Sequence, residues 1–316
     1  MVAVLGGVFL ITYFKTINSK LTQLDFCQKD CWVNCVEPTE SEARYLVENL
    51  GVEIDFLKAA LDPEESSHID SESGNELIIV DIPVIKKTDK DIVYSTIPLG
   101  IIITRDHIVT VSLSKNMVIE EVAKGFVKNI STRSKIQFAL NLILRTAVKY
   151  LQYLKQIDKI SDNVERDLKK SMKNKDFMQF LEVEKSLVYF SSSLKANEST
   201  LGKLMRGRLI KLHEEDKELL EDVLIEIRQA IEMTTIQINI LSSTMEAFAS
   251  IISNNLNIVM KILASITLII SVPTVVSGFY GMNTELPFAD APWFPWVLSL
   301  VLMVISYFIL KKKDMM

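Results

Sequence analysis

The residues whose types and spacing are most suggestive of chemistry lie in a long apolar segment near the C-terminus. Between residues 258 and 279, small or hydroxyl-bearing side chains recur at intervals of three and four: Ala264, Thr267, Ser271, Thr274 and Gly278. Met260 and Asn257 extend this series towards the N-terminus. Residues at such a spacing share one face of a helix. On an apolar helix this face either packs against another helix or contacts water, and the spacing leaves both interpretations open.

The segment that carries this face is long and apolar enough to cross a bilayer. Residues 258–279 contain one charge, Lys261, and residues 293–310 contain none. A membrane-spanning helix needs about 20 apolar residues, so both segments qualify once tilt is allowed. Trp293 and Trp296 lie at one end of the second segment, where amphipathic rings favour the interface. The pattern predicts two transmembrane helices, and the alternative is a buried hairpin of a soluble protein.

The distribution of charge predicts the orientation of the two spans. Three lysines at residues 311–313 follow the second span, whereas the loop 284–292 contains Glu285 and Asp290 and no basic residue. Short loops rich in lysine and arginine remain on the cytoplasmic side. We therefore expect a chain in the inner or plasma membrane, with both termini in the cytoplasm.

The region before the spans is predicted to be helical. No proline occurs between Pro98 and Pro273, and apolar residues recur at intervals of three and four from about residue 131. A turn is expected near residues 202–208. One helix over residues 213–278 would be on the order of 100 Å long. Such a helix needs lateral partners in water, which indicates a bundle made by several subunits.

The first part of the chain alternates strand and helix signals. Runs rich in valine, isoleucine and tyrosine predict strands at residues 9–14, 31–36, 76–82, 92–97, 100–103 and 107–112. Helices are expected at residues 40–49 and 54–61, and Thr39 with Glu42 fits a capping box at the start of the first.

Together these patterns predict an α+β membrane protein. We expect a cytoplasmic α/β domain over residues 1–130, a helical hairpin and stalk helix over residues 131–256, and a transmembrane domain over residues 257–316. The apolar residues 1–14 are short for a span and lack a preceding basic region. We expect residues 8–16 to form a buried first strand, with a degenerate signal or anchor as the alternative.

Composition limits the chemistry and the partners. The net charge of −5 gives no basic surface for nucleic acid. The three cysteines, Cys27, Cys31 and Cys35, are an odd number in a long chain, which fits a reducing compartment better than a disulfide framework. Their spacing of four could suggest a zinc site, but structural zinc ligands usually come in tighter pairs and no histidine lies nearby in the sequence. We therefore expect unmodified packing or surface thiols. The sequence shows no arrangement of nucleophile and base and no nucleotide-binding loop, so we do not expect an enzyme.

A short motif follows the first span. Tyr280-Gly281-Met282-Asn283 closes that span and precedes an acidic loop, a second span and a lysine-rich end. In this position the motif resembles the CorA family of magnesium channels, which is defined by Gly-Met-Asn between two C-terminal spans. Further stretches are similar to the family at residues 31–34, 78–83, 219–223, 257–263 and 271–274.

The resemblance implies an architecture and an activity. The family forms homopentamers in which each subunit contributes a cytoplasmic α/β domain, a stalk helix that continues into the pore, and an outer second span. The partners would be other copies of the chain, the lipid bilayer and divalent cations. Hydrated Mg²⁺ would enter passively, driven by the membrane potential, and cytoplasmic Mg²⁺ would close the channel by bridging acidic residues of adjacent subunits.

The resemblance also implies roles for individual residues. Gly281, Met282 and Asn283 would form the selectivity filter, with Glu285 at the outer mouth. The pore would be lined by Asn257, Met260, Leu263, Thr267, Ser271, Thr274 and Gly278. Met260 and Leu263 would form a hydrophobic gate, whose length is open because Ser271 stands where some relatives have a bulkier apolar residue.

Two features of the activity stay open at the level of the sequence. Glu246 would contribute to a regulatory metal site whose N-terminal partner is not identified; the candidates are Asp62, Glu64, Glu65, Asp70 and Asp81. Co²⁺ or Ni²⁺ are further candidate cargoes, and a Zn²⁺ transporter of the same fold is an alternative. A non-conducting, membrane-anchored scaffold or sensor is the alternative from a different class.

Overall fold

The computed structural model describes residues 11–87, 92–127, 130–171, 174–207, 209–283, 286–288, 291–313 and 315. The strands are β1 (Ile11–Ile17), β2 (Lys20–Leu24), β3 (Trp32–Val36), β4 (His68–Glu72), β5 (Asn75–Lys87), β6 (Ile92–Ile103) and β7 (Ile108–Ser112). The helices are α1 (Glu40–Leu50), α2 (Ile54–Ala60), α3 (Met117–Ala123), α4 (Lys135–Ser171), α5 (Asn174–Met205), α6 (Glu214–Tyr280) and α7 (Phe294–Lys312). The chain divides into two compact units, residues 1–241 and 242–316.

The strands of the first unit form a single seven-stranded sheet in the order β2-β1-β3-β7-β6-β5-β4. The central strands β3 and β7 run parallel, with Trp32 opposite Ile108, and the other neighbouring strands are antiparallel. Parallel strands are normally covered on both faces. Accordingly every residue of β7 is buried.

The expected α+β fold class is confirmed. The predicted and observed elements differ mainly in the strands at the sheet edges and in where individual strands begin and end. Antiparallel pairing with β5 continues through Pro98 and Gly100, so the strands predicted at residues 92–97 and 100–103 are one strand, β6. The strands β2 and β4 were not predicted because both lie at sheet edges and have mostly polar, exposed side chains. The short helix α3 was also not predicted. The start of the first predicted strand, residues 8–10, lies outside the described residues.

Helices α1 and α2 cover one face of the sheet. Their buried side chains, including Leu46 and Phe56, pack on Val33 and Cys35 of β3. The predicted capping box is present at the start of α1, where the Glu42 carboxylate accepts from the Thr39 backbone N–H at 2.9 Å. The helix α2 approaches β6 closely.

Gly100 of β6 makes that approach possible. A Cβ atom added at Gly100 would lie 2.4 Å from the Cβ of Ala60 on α2, a distance that side chains cannot tolerate. A glycine is therefore required at this position by packing, not by its backbone angles.

Helices α4 and α5 lie on the opposite face. Trp32 of β3 is fully buried, its ring 4.8 Å from Phe14 of β1 and 5.2 Å from Phe138 of α4. Its indole N–H donates to the hydroxyl of Thr110 at 2.8 Å. A buried tryptophan whose single donor is satisfied stabilises the layer without a polar penalty.

Asn197 attaches α5 to the sheet. Its amide nitrogen donates to the Asp81 carbonyl at 2.9 Å, and its side-chain oxygen accepts from the Asp81 N–H at 2.9 Å and from the Ser67 hydroxyl at 2.6 Å. Asn197 is fully buried, so loss of these bonds would leave several polar groups unsatisfied.

The predicted long helix is present as α6, which has 67 residues and contributes to both units. In the first unit its buried face includes Leu220, Leu224, Ile227 and Leu241, as the apolar spacing predicted. The second predicted span corresponds to α7.

A charged cluster joins α3 to α4 in the first unit. The Glu121 carboxylate pairs with Arg145 and with Lys149, whose side chain is 5% exposed. Burial alone would raise the pKa of Glu121, but the hydrogen bonds from Lys149 and Arg145 outweigh it and lower that pKa. Ionised Glu121 therefore stabilises the fold above its unfolded-state pKa, and this contribution is lost as the pH falls through the lowered folded-state value.

We predict that Glu121→Gln lowers the free energy of unfolding by about 3 kcal/mol at pH 7, because two cations lose a buried partner. Urea unfolding of the purified chain, followed by tryptophan fluorescence, measures the difference. The difference should shrink as the pH falls through the lowered pKa of Glu121, because the wild-type carboxylate then also becomes protonated.

The control is Glu120→Gln, the adjacent residue, whose ion pair with Lys124 is exposed. Exposed pairs on one helix contribute less than about 0.5 kcal/mol. Equal effects of the two substitutions would show that the buried cluster does not fasten α3.

Candidate functional site

The second unit contains the part of α6 that carries the predicted polar face. One side of this part is covered within the chain, at Ser265, Ile269, Val272 and Val276. The hydroxyl of Ser265 donates to the Met315 carbonyl at 2.8 Å, just beyond α7. At the other end of this side, the Tyr280 ring lies 6.1 Å from the ring of Phe294 in α7.

The predicted polar face lies on the other side of the helix. The residues concerned are all exposed in the single chain: Asn257, Met260, Leu263, Thr267, Ser271, Thr274 and Gly278. Because a helix turns by about 100° per residue, their direction is roughly opposite to that of the covered side. This face is therefore not the surface that α6 uses to pack within its own chain.

The hydroxyl groups on this face donate hydrogen bonds to backbone carbonyls of the same helix. Thr267 donates to the Leu263 carbonyl at 2.8 Å, and Ser271 donates to the Leu268 carbonyl at 2.8 Å. Side chains of this kind commonly donate back to the preceding turn of a helix. Since the single proton of each hydroxyl is used inside the helix, the oxygen lone pairs stay available outside it. The face consequently presents hydrogen-bond acceptors.

Pro273 interrupts the backbone hydrogen bonds of α6 without ending the helix. Proline has no N–H to donate to the carbonyl of residue 269. The Ser277 hydroxyl donates to the Pro273 carbonyl at 2.8 Å and lies 3.2 Å from the Thr274 carbonyl. Serine and threonine hydroxyls of this kind help a proline-containing helix to continue in apolar surroundings.

The Gly-Met-Asn motif begins where α6 ends. The Gly281 N–H donates to the Ser277 carbonyl at 2.9 Å, and the Met282 N–H donates to the Phe279 carbonyl at 3.2 Å. Asn283 follows and is exposed. The hydroxyl of Tyr280 donates to the Pro287 carbonyl at 3.1 Å, which joins the end of α6 to the following loop.

Gly281 is constrained by packing and not by its backbone angles. Among the described glycines, positive φ angles occur at Gly51, Gly74, Gly125 and Gly207, and Gly281 is not one of them. An added Cβ atom at Gly281 would lie 3.1 Å from the Ser277 carbonyl oxygen. The constraint at this position is thus close packing against the last turn.

The predicted acidic residues are placed unevenly. Glu285 at the expected outer mouth, and Asp290 after it, lie outside the described residues. Glu246 on α6 is exposed. Of the candidate N-terminal partners, Asp62 accepts a hydrogen bond from the Glu64 N–H at 2.9 Å. Burial raises the pKa of Asp81, and a hydrogen bond with Ser193 lowers it by a smaller amount.

The remaining candidates are arranged around the strand β4. The Glu65 carboxylate lies 3.5 Å from His68, and Asp70 is exposed. The structure thus gives none of the candidate partners a distinct metal-binding environment.

The expectation that no histidine lies near the cysteines is wrong. The Sγ atoms of Cys27 and Cys31 are 3.2 Å apart, and the His107 Nδ1 lies 3.7 Å from the first and 3.6 Å from the second. Among the described residues, Cys27, Cys31 and His107 form a group whose ligand atoms are close enough together to hold a metal ion. The hydrogen bond donated by Cys27 lowers the pKa of the Cys31 thiol.

The signal for this cluster was present in the strand prediction. Two predicted strands began at Cys31 and His107, and parallel pairing in register would have brought the two residues together. Sequence spacing alone placed them 76 residues apart, and the pairing of β3 with β7 was not predicted.

Two helices among the described residues, α6 and α7, are long and apolar enough to cross a membrane. Both are largely exposed in the single chain over their apolar windows. Exposed apolar surface of this extent is typical of segments that contact a membrane or another protein.

Comparisons with known proteins agree with this geometry. A family model described as CorA-like Mg²⁺ transporter protein matches residues 28–312. The chain is 29% identical over 304 residues to the cobalt/magnesium transport protein CorA of Methanocaldococcus jannaschii, covering 93% of each protein.

Solved structures give the same result for the fold. The complete structure of the CorA magnesium transporter from Methanocaldococcus jannaschii matches with a TM-score of 0.82 and 26% identity, over 99% of this chain and 98% of that one. The cytoplasmic domain of ZntB from Vibrio parahaemolyticus shares the fold at 11% identity, with a TM-score of 0.62, over 78% of this chain and 100% of its own. The chain belongs to the CorA family of Mg²⁺ transport proteins.

Proposed function

We propose that this chain is one subunit of a homopentameric channel for passive uptake of hydrated Mg²⁺, located in the cell membrane with both termini in the cytoplasm. The observation that carries the proposal is the exposed, acceptor-presenting face of α6, which is opposite to the covered side and leads to the Gly-Met-Asn motif. Family membership supports transport of Mg²⁺ or Co²⁺ across a membrane.

The chemistry of this face suits a hydrated cation. Mg²⁺ prefers an octahedral shell at short distances and releases its waters slowly. The waters of such a shell point hydrogen atoms outwards, and the oxygens of Thr267, Ser271 and Thr274 can accept those hydrogens. Neutral acceptors bind a divalent cation less tightly than carboxylates, so the ion can also leave, as conduction requires.

Asn283 would act as the selectivity filter together with Gly281 and Met282. Five copies of the Asn283 carbonyl oxygen around one axis would concentrate hydrated cations at the end of the pore. Met282 would hold the filter by packing, and Glu285 would raise the local concentration of cations at the outer mouth through its charge.

The inner part of the pore would be closed by apolar side chains. Met260 and Leu263 lie one turn apart on the proposed lining face, and both are more than half exposed in the single chain. A ring of such side chains can close a channel by excluding water. Asn257 would form a polar ring at the inner end.

Exposed apolar residues on α6 support assembly with other copies. Ile225, Ile236 and Ile240 are each more than half exposed, although they lie on the part of the helix that belongs to the first unit. A lone subunit would leave this surface in contact with water. Packing of α6 against α6 of neighbouring subunits would bury this surface.

The driving force would be the membrane potential. An interior-negative potential contributes roughly 2.3 kcal/mol per charge per 100 mV, and about twice as much for a divalent ion. Uptake down this gradient needs no ATP.

We expect Asn283→Ala to reduce Mg²⁺ flux into liposomes at least about tenfold, which corresponds to ~1.4 kcal/mol. The substitution removes the acceptor that would contact the hydration shell. The matched control is Asn239→Ala, an exposed asparagine on the first-unit part of the same helix. Unchanged flux in Asn283→Ala would remove the filter assignment.

The same assay separates the alternative functions. Zn²⁺ at an equal concentration should compete weakly with Mg²⁺; strong competition, with Zn²⁺ flux exceeding that of Mg²⁺, would favour the zinc transporter. Absence of divalent flux in the wild type would favour the non-conducting scaffold.

A second prediction concerns the polar face itself. The double variant Thr267→Val/Thr274→Val keeps the shape of both side chains and removes both oxygens, so Mg²⁺ flux should fall several-fold. Thr235→Val is the control, because Thr235 lies on the same helix and donates to the Ile231 carbonyl at 2.8 Å, outside the predicted span. Equal flux in the two proteins would contradict pore lining by this face.

Glu246 would contribute to closure by cytoplasmic Mg²⁺. We expect Glu246→Gln to raise the Mg²⁺ concentration that halves the flux by several-fold, because a carboxylate ligand is replaced by a neutral amide. The control is Glu232→Gln, an exposed glutamate on the same helix. An unaltered response would remove Glu246 from the regulatory site.

A further inference from the structure

The cluster of Cys27, Cys31 and His107 lies at one end of the central sheet, in the first unit. Cys31 directly precedes β3 and His107 directly precedes β7. These two strands are parallel neighbours with Trp32 opposite Ile108, so the residues before them are also neighbours. Cys27 reaches the same point from the loop after β2 and is half-buried, whereas Cys31 is fully buried.

Backbone hydrogen bonds hold the two loops that carry these side chains. The Asp30 N–H donates to the Asp106 carbonyl at 2.9 Å, and the Ile108 N–H donates to the Cys31 carbonyl at 3.2 Å. The His107 N–H donates to the Thr104 hydroxyl at 3.1 Å. The backbone positions of Cys31 and His107 are therefore fixed by strand pairing and by tight turns before any ligand binds.

The distances in the cluster match those of a tetrahedral metal site. With metal–sulfur bonds of about 2.3 Å and metal–nitrogen bonds of about 2.05 Å, the edges of a tetrahedron are about 3.8 Å between sulfurs and about 3.6 Å between sulfur and nitrogen. The two sulfur–nitrogen distances here are 3.7 and 3.6 Å. The sulfur–sulfur distance is 3.2 Å, so the thiols need to separate by about half an ångström.

We propose that Cys27, Cys31 and His107 bind one thiophilic divalent cation, Zn²⁺ by this geometry, at a site separate from the transport pathway. The fourth ligand position would face the open cavity beside the cluster, which is lined by Tyr45 and Asn49 among others. Water would occupy that position. The proposal does not depend on the proposed function.

The donor set decides the class of cation. Thiolate and imidazole ligands favour zinc and similar borderline ions, whereas Mg²⁺ prefers oxygen ligands. The site would therefore not bind Mg²⁺, the ion that the proposed channel would transport. A bound ion would connect the loop before β3 to the loop before β7 and would stabilise this end of the sheet.

Cobalt serves as a spectroscopic probe for the site. All three cysteines of the chain lie at positions 27, 31 and 35, so a thiolate-to-cobalt absorption band can arise only from this region. We expect the purified, reduced, full-length protein to bind one Co²⁺ per chain with such a band. One equivalent of Zn²⁺ should abolish the band, and millimolar Mg²⁺ should not.

Substitutions locate the ligands. Cys27→Ser and His107→Ala should each weaken Co²⁺ binding at least about tenfold. Cys35→Ala is the matched control, because Cys35 is buried in the core between the sheet and α1 and should leave the band unchanged. Asn283→Ala should also leave the band unchanged, which separates this site from the pore.

Thermal unfolding provides a second readout. Zn²⁺ should raise the Tm of the wild type and of Cys35→Ala, and should not raise the Tm of Cys27→Ser. Circular dichroism of Cys27→Ser establishes that this half-buried position tolerates the substitution. The proposal is overturned if the reduced protein gives no band, or if Mg²⁺ displaces the cobalt.

Discussion

The continuity of the helix α6, which persists through Pro273, is the constraint on which the rest of this protein depends. The helix has 67 residues and belongs to two units with different surroundings. In the first unit its apolar face is buried, and in the second only one narrow side is covered. Backbone groups in apolar surroundings must be satisfied within the segment, which a helix achieves along its length apart from the carbonyl that Pro273 leaves without its usual donor.

The same constraint shapes the chemistry of the exposed face of α6. Thr267 and Ser271 use their protons on carbonyls of the helix, which leaves oxygen acceptors outside. Acceptors without charge are weak ligands for a bare cation and good partners for its hydration waters. A surface of this kind has the acceptor chemistry that the proposed passage of a hydrated divalent ion would require.

The two units present contrasting donor chemistry. Oxygen acceptors from hydroxyl and amide groups dominate the exposed face of α6, whereas two thiols and an imidazole meet at the end of the sheet. Hard and borderline cations differ in their preference for these donors. The proposed pore and the proposed thiol–imidazole site would therefore select different cations.

The sequence by itself determined most of the elements and the spacing of the polar side chains on α6. Periodicity of three and four predicted α6, its apolar face and the polar face opposite, because these features depend on spacing along one helix. The Gly-Met-Asn motif placed Asn283 at the end of that helix. Only the tertiary structure decided which side of α6 is covered within the chain, since that depends on contacts with Met315 and Phe294. It also decided that Cys31 and His107 are neighbours, because the parallel pairing of β3 with β7 joins residues far apart in sequence and leaves no local pattern.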